Sequence, residues 1–389
     1  MKLTIKRGGR ITRRQGIGAA GFAGIAALVA MQVVPAASSL ASSTSAAPSR
    51  PAPASYNTQP ASAGAAYWTA DRMASAKPVD SSTSQPQHAT VAGNSATGAP
   101  NVAGGYAPSN LVGPQAGLAV STPGKTSTGV TPADGGFPGP NDTWNWLGNY
   151  KKFPVSTVGK LFFTKPGIGN FVCSAAVTLG NSNQLDMVWT AGHCVGPQGG
   201  QAYFTNFLFC PSYKNGQDPA VGCWNWRLAQ QTGAWYFNGY WSGDYAYLYM
   251  QPTGTVVANH VANVTGALGF AWNFGRDQHW IDLGYPSGAP YSGGLLVATG
   301  AEHRYDVTNP GGDTGPADNS IGSAQTPGFS GGPWIFRFTN GGGFINSVNS
   351  YYFTGGPNGN EYGKEIQGPY FNTAACNFWK FGSGWPGNC

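Results

Sequence analysis

The sequence predicts an all-β fold for residues 140–389, and three observations carry that expectation. Short runs of β-branched and aromatic residues recur through this stretch, separated by turns rich in Gly, Asn and Pro. No apolar repeat of helical period and useful length interrupts them. Many short strands between glycine-rich turns make a barrel or a sandwich, and 250 residues is chain enough for two small barrels.

In chain order, residues 1–14 come first, carrying Lys2, Lys6, Arg7, Arg10, Arg13 and Arg14 with no acid. An apolar run from Ile17 to Val34 follows and ends at Pro35. Small residues come next, with Ser39-Leu40-Ala41 one candidate cleavage signal. Residues 1–41 therefore read as a signal peptide, interrupted by glycines in a way that favours removal over a retained anchor. Arg13-Arg14 leaves both the general and the twin-arginine export routes open. Residues 42–139 are dominated by Ala, Ser, Thr, Pro and Gly, with no cysteine and few aromatics. Such a segment buries too little apolar surface of its own to offset its ordering entropy, so a disordered pro-segment or linker is expected there. Association with the cell envelope through this segment is compatible with its composition. From residue 140 the candidate strands are 160–164, 171–179, 186–190, 202–209, 244–250, 280–284, 295–299, 333–338 and 344–352.

Formal charge is +6 over residues 1–14, +1 over 15–139 and −1 over 140–389. The basic excess belongs to the leader, and the folded part gives no electrostatic argument for nucleic acid as a partner. The six cysteines, Cys173, Cys194, Cys210, Cys223, Cys376 and Cys389, are even in number in a chain read as exported, which suggests three disulfides. Fifteen pairings are open, sequential pairing being the simplest. No CxxC or HxxxH spacing and no acidic cluster marks a metal site, and no cofactor is expected.

Three short segments carry chemistry. Thr190-Ala191-Gly192-His193-Cys194 places a histidine among small residues at a strand end. Asp244 opens the apolar run Tyr245-Ala246-Tyr247-Leu248-Tyr249-Met250, where a carboxylate is costly unless paired. Pro327-Gly328-Phe329-Ser330-Gly331-Gly332-Pro333 sets a serine between glycines just before the apolar Trp334-Ile335-Phe336. A serine becomes a nucleophile when a histidine takes its proton and a buried carboxylate holds that histidine. Asp218, Asp306, Asp313 and Asp318 sit among Gly, Pro and Asn and read as loop acids. Ser292-Gly293-Gly294 reads as a hairpin turn.

These three blocks, in the order His, Asp, Ser, resemble those of the chymotrypsin-like serine proteases. Gly284-Tyr285-Pro286 is similar to an element of that family's bacterial, glutamyl-endopeptidase-like branch. The resemblance covers residues 150–375. It implies two six-stranded antiparallel β-barrels, about 150–260 and 261–375, with the active site between them; beyond them, sequential cysteine pairing would give a disulfide-closed tail at 376–389. It also implies a Cys173–Cys194 bridge beside the histidine, and a secreted, extracellular serine endopeptidase acting on protein or peptide substrates, expected as a monomer. Ser330 would attack, His193 would act as general base and acid, and Asp244 would orient His193. The N–H groups of Gly328 and Ser330 would form an oxyanion hole. Ser350 matches the family serine that bonds the aspartate, and the backbone at Ser350, Tyr351 and Tyr352 would pair with an extended substrate.

The departures also inform. Phe329 stands where the animal enzymes have an activating aspartate, so activation by a freed N-terminus is not expected. Ala324, six residues before Ser330, is no acid, so a trypsin-like Lys/Arg preference is not supported; Asn349 stands where glutamate-specific relatives tend to have a histidine, so a glutamate preference is not supported either. His303, on another loop, remains a candidate for that histidine's role. Two alternatives stand beside the protease: an inactive binding protein on the same fold, and a wall-associated carbohydrate-binding β-domain suggested by thirteen tryptophans.

Overall fold

The structure is a computed structural model that describes residues 51–59, 61–83, 98–108, 141–181, 183–308, 310–339, 341–355 and 360–389. The leader expectation falls on residues 1–41, outside the described residues.

Six antiparallel strands form the first barrel. Thr205–Pro211, Val158–Lys165, Gly169–Val177, Met187–Thr190, Ala246–Met250 and Trp224–Gln231 follow one another across the sheet. Trp224 and Asn225 then pair with Phe209 and Leu208, which closes the ring. Successive side chains on a strand point to opposite faces. Phe162 accordingly meets Trp68 and Tyr213, while Phe163 stacks among Phe204, Phe207 and Phe171.

The second sheet runs Glu365–Gly368, Asp318–Gly322, Val297–Val307, His279–Gly284, Pro333–Thr339, Gly342–Val348, Ala267–Trp272 and Asn101–Tyr106. It curls into a partial barrel and stays open among the described residues. Ala267–Trp272 pairs parallel to Gly342–Val348, a departure from the all-antiparallel expectation. An isolated bridge from Thr178 to Leu268 joins the two sheets.

All nine candidate runs overlap observed strands. Of the strands not foreseen, Trp224–Gln231, Asp318–Gly322 and Glu365–Gly368 carry buried amides and acids, whereas Ala267–Trp272 is wholly apolar. The helix Thr373–Ser383 was not foreseen either. Asn372 caps it by accepting from the N–H groups of Ala374 and Ala375, and Gly384, at φ 66°, ends it. Its Cys376, Phe378 and Trp379 are buried, with Phe378 against Trp189, Tyr245 and Tyr247. The disulfides are Cys173–Cys194, Cys210–Cys223 and Cys376–Cys389, the sequential set.

Residues 51–83 and 98–108 correct the expectation of a disordered segment over 42–139. Ser55–Tyr56 pairs with Leu228 and Ala229 of the first barrel. The helices Ala61–Tyr67 and Ala70–Ser75 follow, and then Lys77–Pro78 pairs parallel to Phe171 and Val172. Asn101–Tyr106 extends the second sheet along Ala267–Trp272. The segment has no core of its own, but Trp68, Met73, Val79 and Tyr106 are buried in the core they share with the barrels. Surface supplied by the barrels offsets the entropy that the segment cannot offset alone. The remainder of 42–139 lies outside the described residues. No helix among the described residues is long and apolar enough to cross a membrane.

Candidate active site

The first barrel brings a histidine and an aspartate to one end of a strand pair. Met187–Thr190 and Ala246–Met250 are antiparallel, with Thr190 opposite Ala246. The residues just after Thr190 and just before Ala246 therefore emerge together. His193 sits in a 3-10 turn, Gly192–Cys194, tied to Gly169–Val177 by the Cys173–Cys194 disulfide. Gln231 Nε2 holds that turn by donating to the carbonyls of Gly192 at 2.7 Å and Gly196 at 2.8 Å. Gly192 has to be glycine: a Cβ there would lie 2.9 Å from the Trp235 ring and 3.0 Å from Asp244 Oδ1.

Asp244 is fully buried, at 0% exposure. Its Oδ1 accepts the backbone N–H of His193 at 2.7 Å, and its Oδ2 lies 2.7 Å from His193 Nδ1. Ser350 Oγ, just past the strand Gly342–Val348 of the second sheet, donates to the same Oδ2 at 2.5 Å. A carboxylate only accepts, so Nδ1 carries the ring proton and Nε2 presents a lone pair. Nε2 is buried with no hydrogen-bond partner among the described residues.

The second sheet supplies the serine loop. Ser330 O accepts from Ser174 N at 2.7 Å and lies 3.6 Å from Cys194 Sγ, one residue past His193. Ser174 Oγ donates to Gly328 O at 3.0 Å, and Gly331 N donates to Asn349 O at 2.7 Å. Phe329 is buried among Trp280, Trp334, Phe336 and Ile366 in the second sheet's own core. A polar network lies under the loop. Asp282 accepts from Asn349 Nδ2 and from Gln325 Nε2, each at 2.7 Å, while Asn349 Nδ2 also reaches Phe329 O at 3.3 Å.

Burial pushes the Asp282 carboxyl up to about 8, against hydrogen bonds from Asn349 and Ser323 that pull it down. Gln325 Oε1 is buried without a partner among the described residues, and turning that amide over would bring an acceptor to a protonated Asp282. An Asp in the unfolded chain ionises near about 4. The stability contributed by this bound proton is therefore full below about pH 4 and is lost as pH rises toward the folded value of about 8. Asp282→Asn cannot ionise, so its urea midpoint should gain on the wild type steadily between those limits. A constant difference between the two midpoints across that range would show that Asp282 ionises normally.

Comparison with solved structures finds likenesses along most of the folded part. Protease Anisep from Arthrobacter nicotinovorans is 32% identical with a TM-score of 0.51, over 60% of this chain and 98% of that one. The thermostable serine protease AL20 from an extremophilic microorganism is 31% identical with a TM-score of 0.50, over 59% of this chain and 97% of that one. The chain belongs to the chymotrypsin-like serine proteases. A Glu endopeptidase solved with MPD is more distant, at 15% identity and a TM-score of 0.44 over 62% of this chain and 96% of that one. No family model matches the sequence, and no curated protein does.

In this protease the predicted site residues fall as follows. His193, Asp244 and Ser350 are joined by the hydrogen bonds above. Ser330 reaches the same junction without a hydrogen bond to His193 Nε2; its Oγ instead lies 3.2 Å from Ser81 Oγ. Gly328 N–H donates to Val79 O at 3.2 Å. Ser350 O and Tyr352 N face residues 81–83, whereas the N–H and C=O of Tyr351 both pair with Gln367, so Tyr351 turns its backbone away from that edge. Ala324 is part-exposed and its N–H donates to Thr143 Oγ1 at 3.2 Å. Asn349 is engaged on both sides by Trp334 Nε1 and Asp282. His303 Nε2 is held by Asp306 at 2.7 Å.

Several acids read as loop residues are buried and paired. Asp313 accepts from Ser242 N at 2.6 Å just ahead of Asp244, and Asp318 accepts from Tyr351 OH at 2.9 Å. Asp306 pairs with Arg276 at 3.3 Å. Cys173, His193 and Cys194 have ligand atoms within 4.8 Å of one another, but both sulfurs are committed to a disulfide, which leaves one imidazole. Ser174, Gln231 and Asp282 were missed as supports. Nothing local marks them, because each acts on a residue distant in sequence.

Proposed function

We propose that this protease is a secreted serine endopeptidase in which Ser330 is the nucleophile. Ser330 Oγ attacks the scissile carbonyl as His193 Nε2 takes its proton. The tetrahedral oxygen is stabilised by the N–H groups of Gly328 and Ser330. Collapse passes the proton from His193 to the leaving amine and leaves an acyl ester on Ser330. Water, deprotonated by His193, then releases the acid and restores the serine. Asp244 holds the imidazole in the tautomer with the proton on Nδ1 and stabilises the cation that forms, and Ser350 adds a third donor to the carboxylate. Extended peptide substrates pair with Ser350 O and Tyr352 N. Three disulfides and the basic, apolar leader support an extracellular location.

The observation that carries this reading is the fully buried Asp244 carboxylate gripping both the backbone and the ring of His193, with Nε2 left unpartnered. The carbohydrate reading has no such support, since Trp189, Trp224, Trp272, Trp280, Trp334 and Trp379 are fully buried. An active-site phosphonate should modify Ser330 in oxidised protein purified from the medium, located by peptide mass mapping, and Ser330→Ala should abolish both labelling and peptide hydrolysis. Hydrolysis that persists in Ser330→Ala would sink the assignment.

A further inference from the structure

The residues that meet the serine and the Gly328 donor belong to the chain itself. After Lys77–Pro78 joins the first barrel, Val79 N donates to Val172 O at 3.1 Å. The chain then crosses to the segment that follows Gly342–Val348 and forms a separate two-stranded parallel sheet with it. There Tyr352 N donates to Ser81 O at 3.2 Å and Thr354 N to Thr83 O at 3.1 Å, with Ser82 and Thr83 lying parallel to Tyr352 and Phe353. Asp80 Oδ1 accepts from Tyr352 OH at 2.9 Å. The crossing places Val79 O on Gly328 N and Ser81 Oγ on Ser330 Oγ.

Proton accounting gives this contact a direction. Ser81 Oγ donates its one proton to Ser350 O. In the 3.2 Å pair with Ser330, Ser81 must then be the acceptor and Ser330 the donor. The hydroxyl proton of Ser330 is thus aimed at Ser81, while His193 Nε2, the base that should receive it, has no partner. We propose that residues 77–83 are a built-in stopper that occupies the substrate edge and keeps Ser330 uncoupled from His193, so that the unprocessed chain is latent. This rests on the serine-endopeptidase reading above.

The stopper is seated yet not presented for cleavage. An attackable peptide puts one carbonyl at both places, its oxygen on the backbone donor and its carbon at the hydroxyl. Here the donor holds Val79 while the hydroxyl meets Ser81, two residues on. The stopper is also tethered on both sides. Trp68, 4% exposed, anchors it upstream against Phe162, and Asn101–Tyr106 anchors it downstream along Ala267–Trp272. Tethering gives the stopper an effective concentration of roughly millimolar, against which a free substrate must compete.

The test uses the full chain, kept unprocessed, with phosphonate labelling of Ser330 as the readout. One variant replaces residues 77–83 by a Gly/Ser linker of equal length and leaves both anchors intact. A second, Ser81→Ala, removes only the two hydroxyl contacts and keeps the folded segment. Labelling should rise about tenfold in Ser81→Ala, the equivalent of losing one or two net hydrogen bonds, and further in the linker variant. Equal and measurable labelling rates in wild type and both variants would overturn the stopper while leaving the enzyme reading intact. A folded linker variant that is never labelled would sink the enzyme reading, and the stopper with it. Ser81→Ala keeps the test decisive if the linker variant does not fold.

Discussion

Asp244→Asn is expected to lower kcat on a peptide substrate by about ten-thousandfold, with the urea midpoint nearly unchanged. The amide would keep one acceptor for the His193 N–H, now 2.7 Å from Oδ1. The other oxygen position lies between His193 Nδ1 and Ser350 Oγ. Occupied by an NH₂ group, it donates to Nδ1, which forces the ring proton onto Nε2. The ring then has no lone pair for the serine proton, although every atom is close to its original place. The measurement is kcat in the form that turns over substrate, alongside circular dichroism and urea titration. A loss under about tenfold, with structure intact, would mean that this carboxylate does not set the tautomer.

How much of this was legible in the sequence depended on where each residue finds its partner. His193, Asp244 and Ser330 stand out locally, each beside small residues or at the start of an apolar strand, because the loops that present them must turn tightly. The nine strand runs stand out for the same local reason, a run of apolar β-formers. Trp224–Gln231 was missed because it contains Gln230 and Gln231, polar residues buried for distant partners, Gln231 serving the His193 turn. Glu365–Gly368 was missed because Glu365 is buried against Arg304 and Ser320, some 45 to 61 residues away. Ser81 sits in Asp80-Ser81-Ser82-Thr83, a string that composition cannot distinguish from a linker. Its burial comes from a strand edge 269 residues further along the chain. The segment 51–83 was expected to be disordered for the same reason: Trp68, Met73 and Val79 are buried in a core whose other members lie mostly in the distant barrels.

Gly331→Ala is expected to destabilise the fold by about 3 kcal/mol and to reduce peptide hydrolysis at least a hundredfold even where the protein remains folded. Two effects act at one atom. Gly331 has φ 79°, a left-handed conformation that an alanine adopts only with strain. Its missing Cβ would also collide with the Thr190 hydroxyl and lie 2.5 Å from Ser174 O. Neither neighbour can yield cheaply, because Thr190 Oγ1 donates to that same Ser174 carbonyl at 2.8 Å and Ser174 N holds Ser330 O at 2.7 Å. Relief therefore has to come from the serine loop itself, which would slide away from the strand that carries His193. A displacement of about 1 Å in a reacting group costs about a hundredfold in rate. The urea midpoint reads the first effect, and phosphonate labelling of Ser330 below the unfolding transition reads the second. A variant that is destabilised yet labelled at the wild-type rate would show that Gly331 serves only the fold, and that the serine's position is set instead by Gly332 and the buried Asp282–Asn349 network beneath it.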